Sequence, residues 1–144
     1  LLPRPQRPGG PPLLIGGNGP QRTLPLVARY ADEWNAVYIP PARFAELSSR
    51  LDSLLDGQGR PAGAVRRSLM TGLFFGRDEA ELNAKLQGRD PASLRERGVL
   101  VGTPGAVVDQ LGELAQAGVE RVMLQWLALD DLDGLEALAG AVLE

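Results

Sequence analysis

The chain has 144 residues, 44% hydrophobic and 23% charged, the makeup of one ordinary globular domain. A net charge of −3 argues against a nucleic-acid partner, which calls for a basic face. Cysteine and histidine are both absent, which excludes disulfides, thiolate nucleophiles, Ser-His-Asp triads and histidine metal sites.

Residues 1–12 carry five prolines and two glycines, so 1–11 read as a linker or flexible end ahead of a domain over 12–144. Leu13–Ile15 is a short buried strand that runs into Gly16, Gly17, Asn18 and Gly19. The next helix places Leu24, Val27, Ala28 and Ala31 at helical spacing, and Pro25 fits its first turn if Thr23 is the N-cap. Glu33–Tyr38 is a second strand. Residues 40–60 form a helix striped by Phe44, Leu47, Leu51, Leu54 and Leu55 and stopped by Gly57 and Gly59. A third strand, 68–76, is apolar on both faces. The helix over 78–88 has acids in its first turn, as the helix dipole prefers. Residues 89–102 read as a short helix and a connector. Thr103 caps a helix with Pro104 in its first position, and Gly118 ends it. Val119–Leu127 is a fourth strand and 132–144 a closing helix.

This order is β-α repeated four times, which predicts parallel strands with right-handed crossovers. Two architectures fit: an open doubly wound sheet, or part of an eight-stranded barrel. A complete barrel takes roughly 250 residues, about twice this chain. No apolar run approaches the roughly 20 residues that span a bilayer. With no targeting segment, no membrane partner and a cytoplasmic location are expected.

The stretch "LLIGGNGPQR", 13–22, carries the chemistry. A strand that ends in glycines and feeds a helix is a ready anion site: glycine lets an anion approach the main chain, and the helix start supplies unpaired N–H groups. Arg22 adds a charge-assisted contact. The spacing G-G-x-G matches neither the dinucleotide fingerprint nor a P-loop, so a phosphate cradle and a plain turn both stand on these residues alone.

Three blocks in order, "PLLIGGNGPQRTLPLVARYADEWN" over 12–35 with its glycine loop, its "LVARYADEWN" segment, and "VGTPGAVVDQLGELAQAGVERVMLQ" over 101–125, resemble the luciferase-like monooxygenase family, in particular its deazaflavin (F420)-dependent oxidoreductases. The resemblance implies a TIM (β/α)8 barrel, with this chain as its C-terminal half of about four β-α units. It implies an oxidoreductase or monooxygenase that uses F420, or alternatively FMN, for hydride transfer with a small-molecule substrate. Gly16, Gly17, Asn18 and Gly19 would sit at the cofactor phosphate with Arg22 beside them. Trp34 and Asn35 would lie near the cofactor end of the next strand. Pro25 departs from the helix-favouring residue usual in relatives, and the N-terminal barrel half is not in this sequence. Half a barrel exposes sheet edges, so a homo-oligomer, or pairing with the missing barrel half, is expected. The rival reading is a non-catalytic truncated α/β module that dimerises or binds a partner.

Each candidate also has a structural reading. Trp34 stacks on a cofactor or fills the gap between sheet and helix. Asn35 binds a ligand or satisfies a strand end. Trp126 closes a pocket or belongs to the core, and Tyr30 and Tyr38 read as packing. Asp130, Asp131 and Asp133 read as a cap for the last helix in preference to a metal site, so no metal is expected. No catalytic acid or base stands out, which suits a reaction whose hard chemistry lies on a cofactor.

Overall fold

A computed structural model describes Gln6 and residues 8–143. Most of the expected linker, residues 1–5 and 7, lies outside the described residues, as does Glu144 at the end of the closing helix. The elements are β1 (Leu14–Gly16), α1 (Thr23–Tyr30), β2 (Glu33–Val37), α2 (Pro41–Gly57), β3 (Arg66–Phe75), α3 (Glu79–Leu86), α4 (Pro91–Glu96), β4 (Leu100–Gly102), α5 (Pro104–Gln116), β5 (Arg121–Gln125) and α6 (Leu132–Leu143). No helix among the described residues is long and apolar enough to cross a membrane.

All strand pairs are parallel. β2 and β5 both pair with Ser68, Leu69 and Met70 of β3, so they flank it on opposite sides. Apart from β4, the strands therefore run β1-β2-β3-β5 in chain order. A doubly wound sheet reverses its order at a switch point; this one does not, and it has the succession of a barrel. β4 was not expected as a strand. It pairs with Leu73–Phe75, beyond the end of β2. The Thr71 hydroxyl donates to the carbonyl of Gly98, just before β4, at 2.5 Å.

Alternation along the strands divides two faces. Ile15, Trp34, Ala36, Leu69, Leu73, Val122 and Leu124 face the helices and meet Leu24, Val27, Phe44, Leu47, Leu51, Leu55 and Leu114 in the main core. The opposite face carries Asn35, Ser68, Met70 and Gly72. At its N-terminal end Arg121 pairs with Glu33 at 3.3 Å.

Two arginines, half-buried Arg60 and buried Arg67, brace the helices. The Arg60 guanidinium donates to the carbonyls of Ala28 and Ala31 at 2.8 Å each, satisfying acceptors that the end of α1 leaves open. Arg67 donates to the carbonyls of Ala62 and Val65, to Ser48 and to Asp52, which ties α2 to the start of β3.

The entry to α1 differs from expectation. The N-cap is Arg22, whose side chain makes no capping hydrogen bond, and Thr23 is the first helical residue. Pro25 then stands third in the helix, where its missing N–H costs nothing.

Candidate functional site

The glycine loop leaves β1 at the sheet's C-terminal edge, the end at which barrel enzymes build their sites. Gly17 has φ +120°, a conformation that strains any L side chain. Its amide donates to the Asn35 carbonyl at 2.9 Å. This corrects one expectation: the Gly17 N–H belongs to the sheet and is not offered to a ligand. At Gly19 a Cβ would lie 2.9 Å from the Thr23 hydroxyl, so a larger residue would push the Thr23 side chain aside where the loop folds back on α1. Gly16 is exposed, at the last position of β1. Among the described residues, the amides of Asn18, Gly19, Arg22 and Thr23 meet no protein acceptor.

Asn18 holds the loop in place. Its Nδ2 donates to the Val37 carbonyl at 2.6 Å and its Oδ1 accepts from the Val37 amide at 2.9 Å. Both ends of the carboxamide are thereby used, which leaves the Asn18 backbone N–H as the group open to a ligand. Arg22 is exposed, with no ion pair among the described residues.

Trp34 adjoins the glycine loop from the helix side, as its packing reading has it. It is fully buried on the helix side of the sheet, stacked on Phe44 with ring centroids 5.1 Å apart. Its Nε1 donates to the Gly17 carbonyl at 2.9 Å. Odd and even residues of a strand face opposite ways, so Trp34 supports the loop from behind and presents no ring to a ligand. Asn35 points to the opposite face but is itself buried; its Nδ2 donates to the Ser68 hydroxyl at 3.0 Å. It fastens β2 to β3 beneath the loop.

A cleft of about 520 Å³ opens on the same edge, lined among others by Tyr38, Phe74, Arg89, Gln125 and Trp126. Sequence reasoning left Tyr38 as packing. In the structure it has φ +50°, and its hydroxyl donates to Oε1 of Gln125. The ring crosses Gly72, where a Cβ would stand 3.0 Å from the hydroxyl. Tyr38 follows directly on the residue that Asn18 grips, so glycine loop and cleft share one rim. The position of Tyr38, just past the C-terminal end of a barrel strand, is the signal that could have singled it out.

Trp126 serves both of its readings. It packs tilted on Phe75 at 6.4 Å and lines the cleft, with the Lys85 ammonium 5.4 Å from its ring. Lys85 is paired with Glu81 at 2.8 Å and Asp131 at 2.7 Å, and Arg77 with Glu81 at 2.8 Å. Hydrogen bonds from Arg77 and then Lys85 bring the Glu81 carboxyl down to about 2. The Asp131 carboxyl is also lowered, chiefly by Lys85. Asp131 accepts from the Gly134 amide at 2.9 Å, the capping contact expected of this acidic cluster.

A family model described as luciferase-like monooxygenase matches residues 1–94. No curated protein matches the sequence. Among solved structures, the coenzyme F420-dependent tetrahydromethanopterin reductase of Methanopyrus kandleri is similar over 90% of this chain and 49% of its own, with 17% identity and TM-score 0.67. A long-chain alkane monooxygenase is similar over 93% and 41%, with 13% identity and TM-score 0.73. A riboflavin lyase solved with modified FMN and riboflavin is similar over 92% and 42%, with 16% identity and TM-score 0.67. At these identities the likeness is one of fold. The chain spans half or less of the length of these structures, as a partial barrel does.

Proposed function

This chain belongs to the luciferase-like monooxygenase family, and from that premise we propose that its glycine loop holds the phosphate of a redox cofactor, F420 or alternatively FMN. The observation that carries the reading is the set of open amides on Asn18, Gly19, Arg22 and Thr23, gathered where α1 begins. An oxyanion there would meet several N–H donors and the positive end of a helix dipole without displacing any protein contact. The first turn of α1 contains no acid to repel the charge, and Arg22 adds a cation. When bound, the cofactor supplies hydride transfer. This chain's residues bind and orient it: Trp34, Asn18 and Asn35 fix the loop from behind, beside and below. F420 is put first on the resemblance of the "ARYADEWN" stretch, and the M. kandleri reductase is a relative in fold that depends on it.

Titration of the purified chain with F420, FMN and riboflavin, read by cofactor fluorescence, tests the reading. One phosphate-bearing cofactor should saturate, and Arg22→Gln should weaken it roughly tenfold, the size of one charge-assisted hydrogen bond. Gly17→Val should abolish binding. If riboflavin binds as well as FMN and F420 does not bind, or if Gly17→Val binds like the parent chain, the phosphate assignment is wrong.

A second reading, a module that pairs with another chain, draws on different residues. β1 and β5 are edge strands, and Leu127 and Leu129 after β5 are 81% and 79% exposed. Such edges invite a partner. Light scattering on the purified chain distinguishes a monomer from an assembly.

A further inference from the structure

We infer that the cleft between β3, β5 and the end of α3 is a binding site for an apolar molecule carrying one carboxylate, with Arg89 as the residue that reads the charge. The inference rests on the reading above in that it places the substrate beside the cofactor loop, on the same rim.

Four observations support it. First, the walls are apolar: Phe74, Trp126, Leu127 and Val99 line the cleft, and its volume of about 520 Å³ falls in the range of small-molecule sites. Second, its charge is one-sided. Lys85 and Arg89 line it and, among the described residues, no Asp or Glu does. The Lys85 charge is offset by Glu81 and Asp131, whereas Arg89 has no carboxylate partner among the described residues. Third, Arg89 is held in place without being used up. Its guanidinium lies 5.4 Å from the centroid of the Phe74 ring, and one nitrogen donates to the Leu86 carbonyl at 3.2 Å. A planar guanidinium set on an aromatic ring keeps its remaining N–H groups for a two-pronged grip on a carboxylate. Fourth, Tyr38, which lines this cleft, holds a left-handed backbone at φ +50°. Such conformations cluster at ligand sites. The hydrogen-bonded Tyr38 and Gln125 add a neutral polar patch for orientation.

Calorimetric titration of the full chain with 4-tert-butylbenzoate and its neutral isostere 4-tert-butylbenzamide tests the site. The acid should bind about tenfold or more tighter than the amide. Arg89→Gln should make the two equal, Arg89→Lys should restore part of the difference, and Arg97→Gln, an exposed arginine outside the cleft, should leave it unchanged. Equal binding of acid and amide to the parent chain, or a preference that survives Arg89→Gln, overturns the inference. Arg22→Gln separates the two readings: it should weaken cofactor and leave the acid preference intact. Failure of cofactor binding with the preference retained would remove the phosphate loop and keep the cleft.

Discussion

Asn18 and Val37 are joined twice, the side-chain amide of Asn18 giving to the Val37 carbonyl at 2.6 Å and its oxygen receiving from the Val37 N–H at 2.9 Å. The pair acts as one more rung of the sheet, made by a side chain where β1 has already turned away. Asn18→Ala removes both bonds and leaves two half-buried main-chain groups unpaired. It should cost about 1–3 kcal/mol of stability, measured by urea unfolding, and should weaken cofactor further than Arg22→Gln because the whole loop loses its anchor.

Trp34 separates packing from hydrogen bonding. Trp34→Phe keeps a ring against Phe44 but loses the bond to the Gly17 carbonyl, and should destabilise by about 1–2 kcal/mol. Trp34→Ala opens a cavity in the main core and should cost about 3–5 kcal/mol. If Trp34 served the cofactor directly, Trp34→Phe would lose affinity with unchanged stability; chemical denaturation beside a cofactor titration decides.

Acid should loosen the junction of α3 with the β5–α6 segment. The Glu81 carboxyl falls from its ordinary 4.5 to about 2 in the folded chain. A depressed carboxylate contributes stability above its unfolded value, and that contribution is lost as pH falls from about 4.5 toward 2. Thermal unfolding followed from pH 6 to pH 2 should show the midpoint dropping in that window. Glu81→Gln should flatten this part of the profile.

Two glycines give opposite expectations. Gly98 has φ +78°, and a Cβ there would fall 2.5 Å from the backbone of Ile39. Gly98→Ala should therefore lose at least about 1–3 kcal/mol through strain alone and shift the start of β4. Gly112 lies inside α5 with nothing within 4 Å of its absent Cβ. Gly112→Ala should stabilise by about 0.4–1 kcal/mol. Melting temperatures of the two variants should move in opposite directions.

Much of this architecture was legible because glycine and proline punctuate it. Pro41, Pro104 and Gly118 mark helix ends at or within a residue or two of the observed ones, and four apolar runs fall on the four long-order strands. β4 was not legible, because Leu100–Gly102 is too short to show a period. Thr23 looked like the cap by composition, yet Gly19 packs against its hydroxyl and Arg22 takes the capping position. In the site, the alternation of β2 already places Trp34 and Asn35 on opposite faces. What sequence could not show was which face looks toward the helices. The cleft was illegible for a different reason: Tyr38 and Gln125 are 87 residues apart, and only the folded sheet brings them together.

β3 is bonded by three strands, by β2 and β5 over Ser68–Met70 and by β4 at its far end. Its central amides can be reached by solvent only after a neighbour has peeled away. Leu69 and Met70 should accordingly be the last positions to trade hydrogen for deuterium, while three-residue β1, secured on its outer side by nothing among the described residues, opens first and takes the glycine loop with it. Ligand at that loop would thus slow exchange at the margin of the sheet before any change reached its middle.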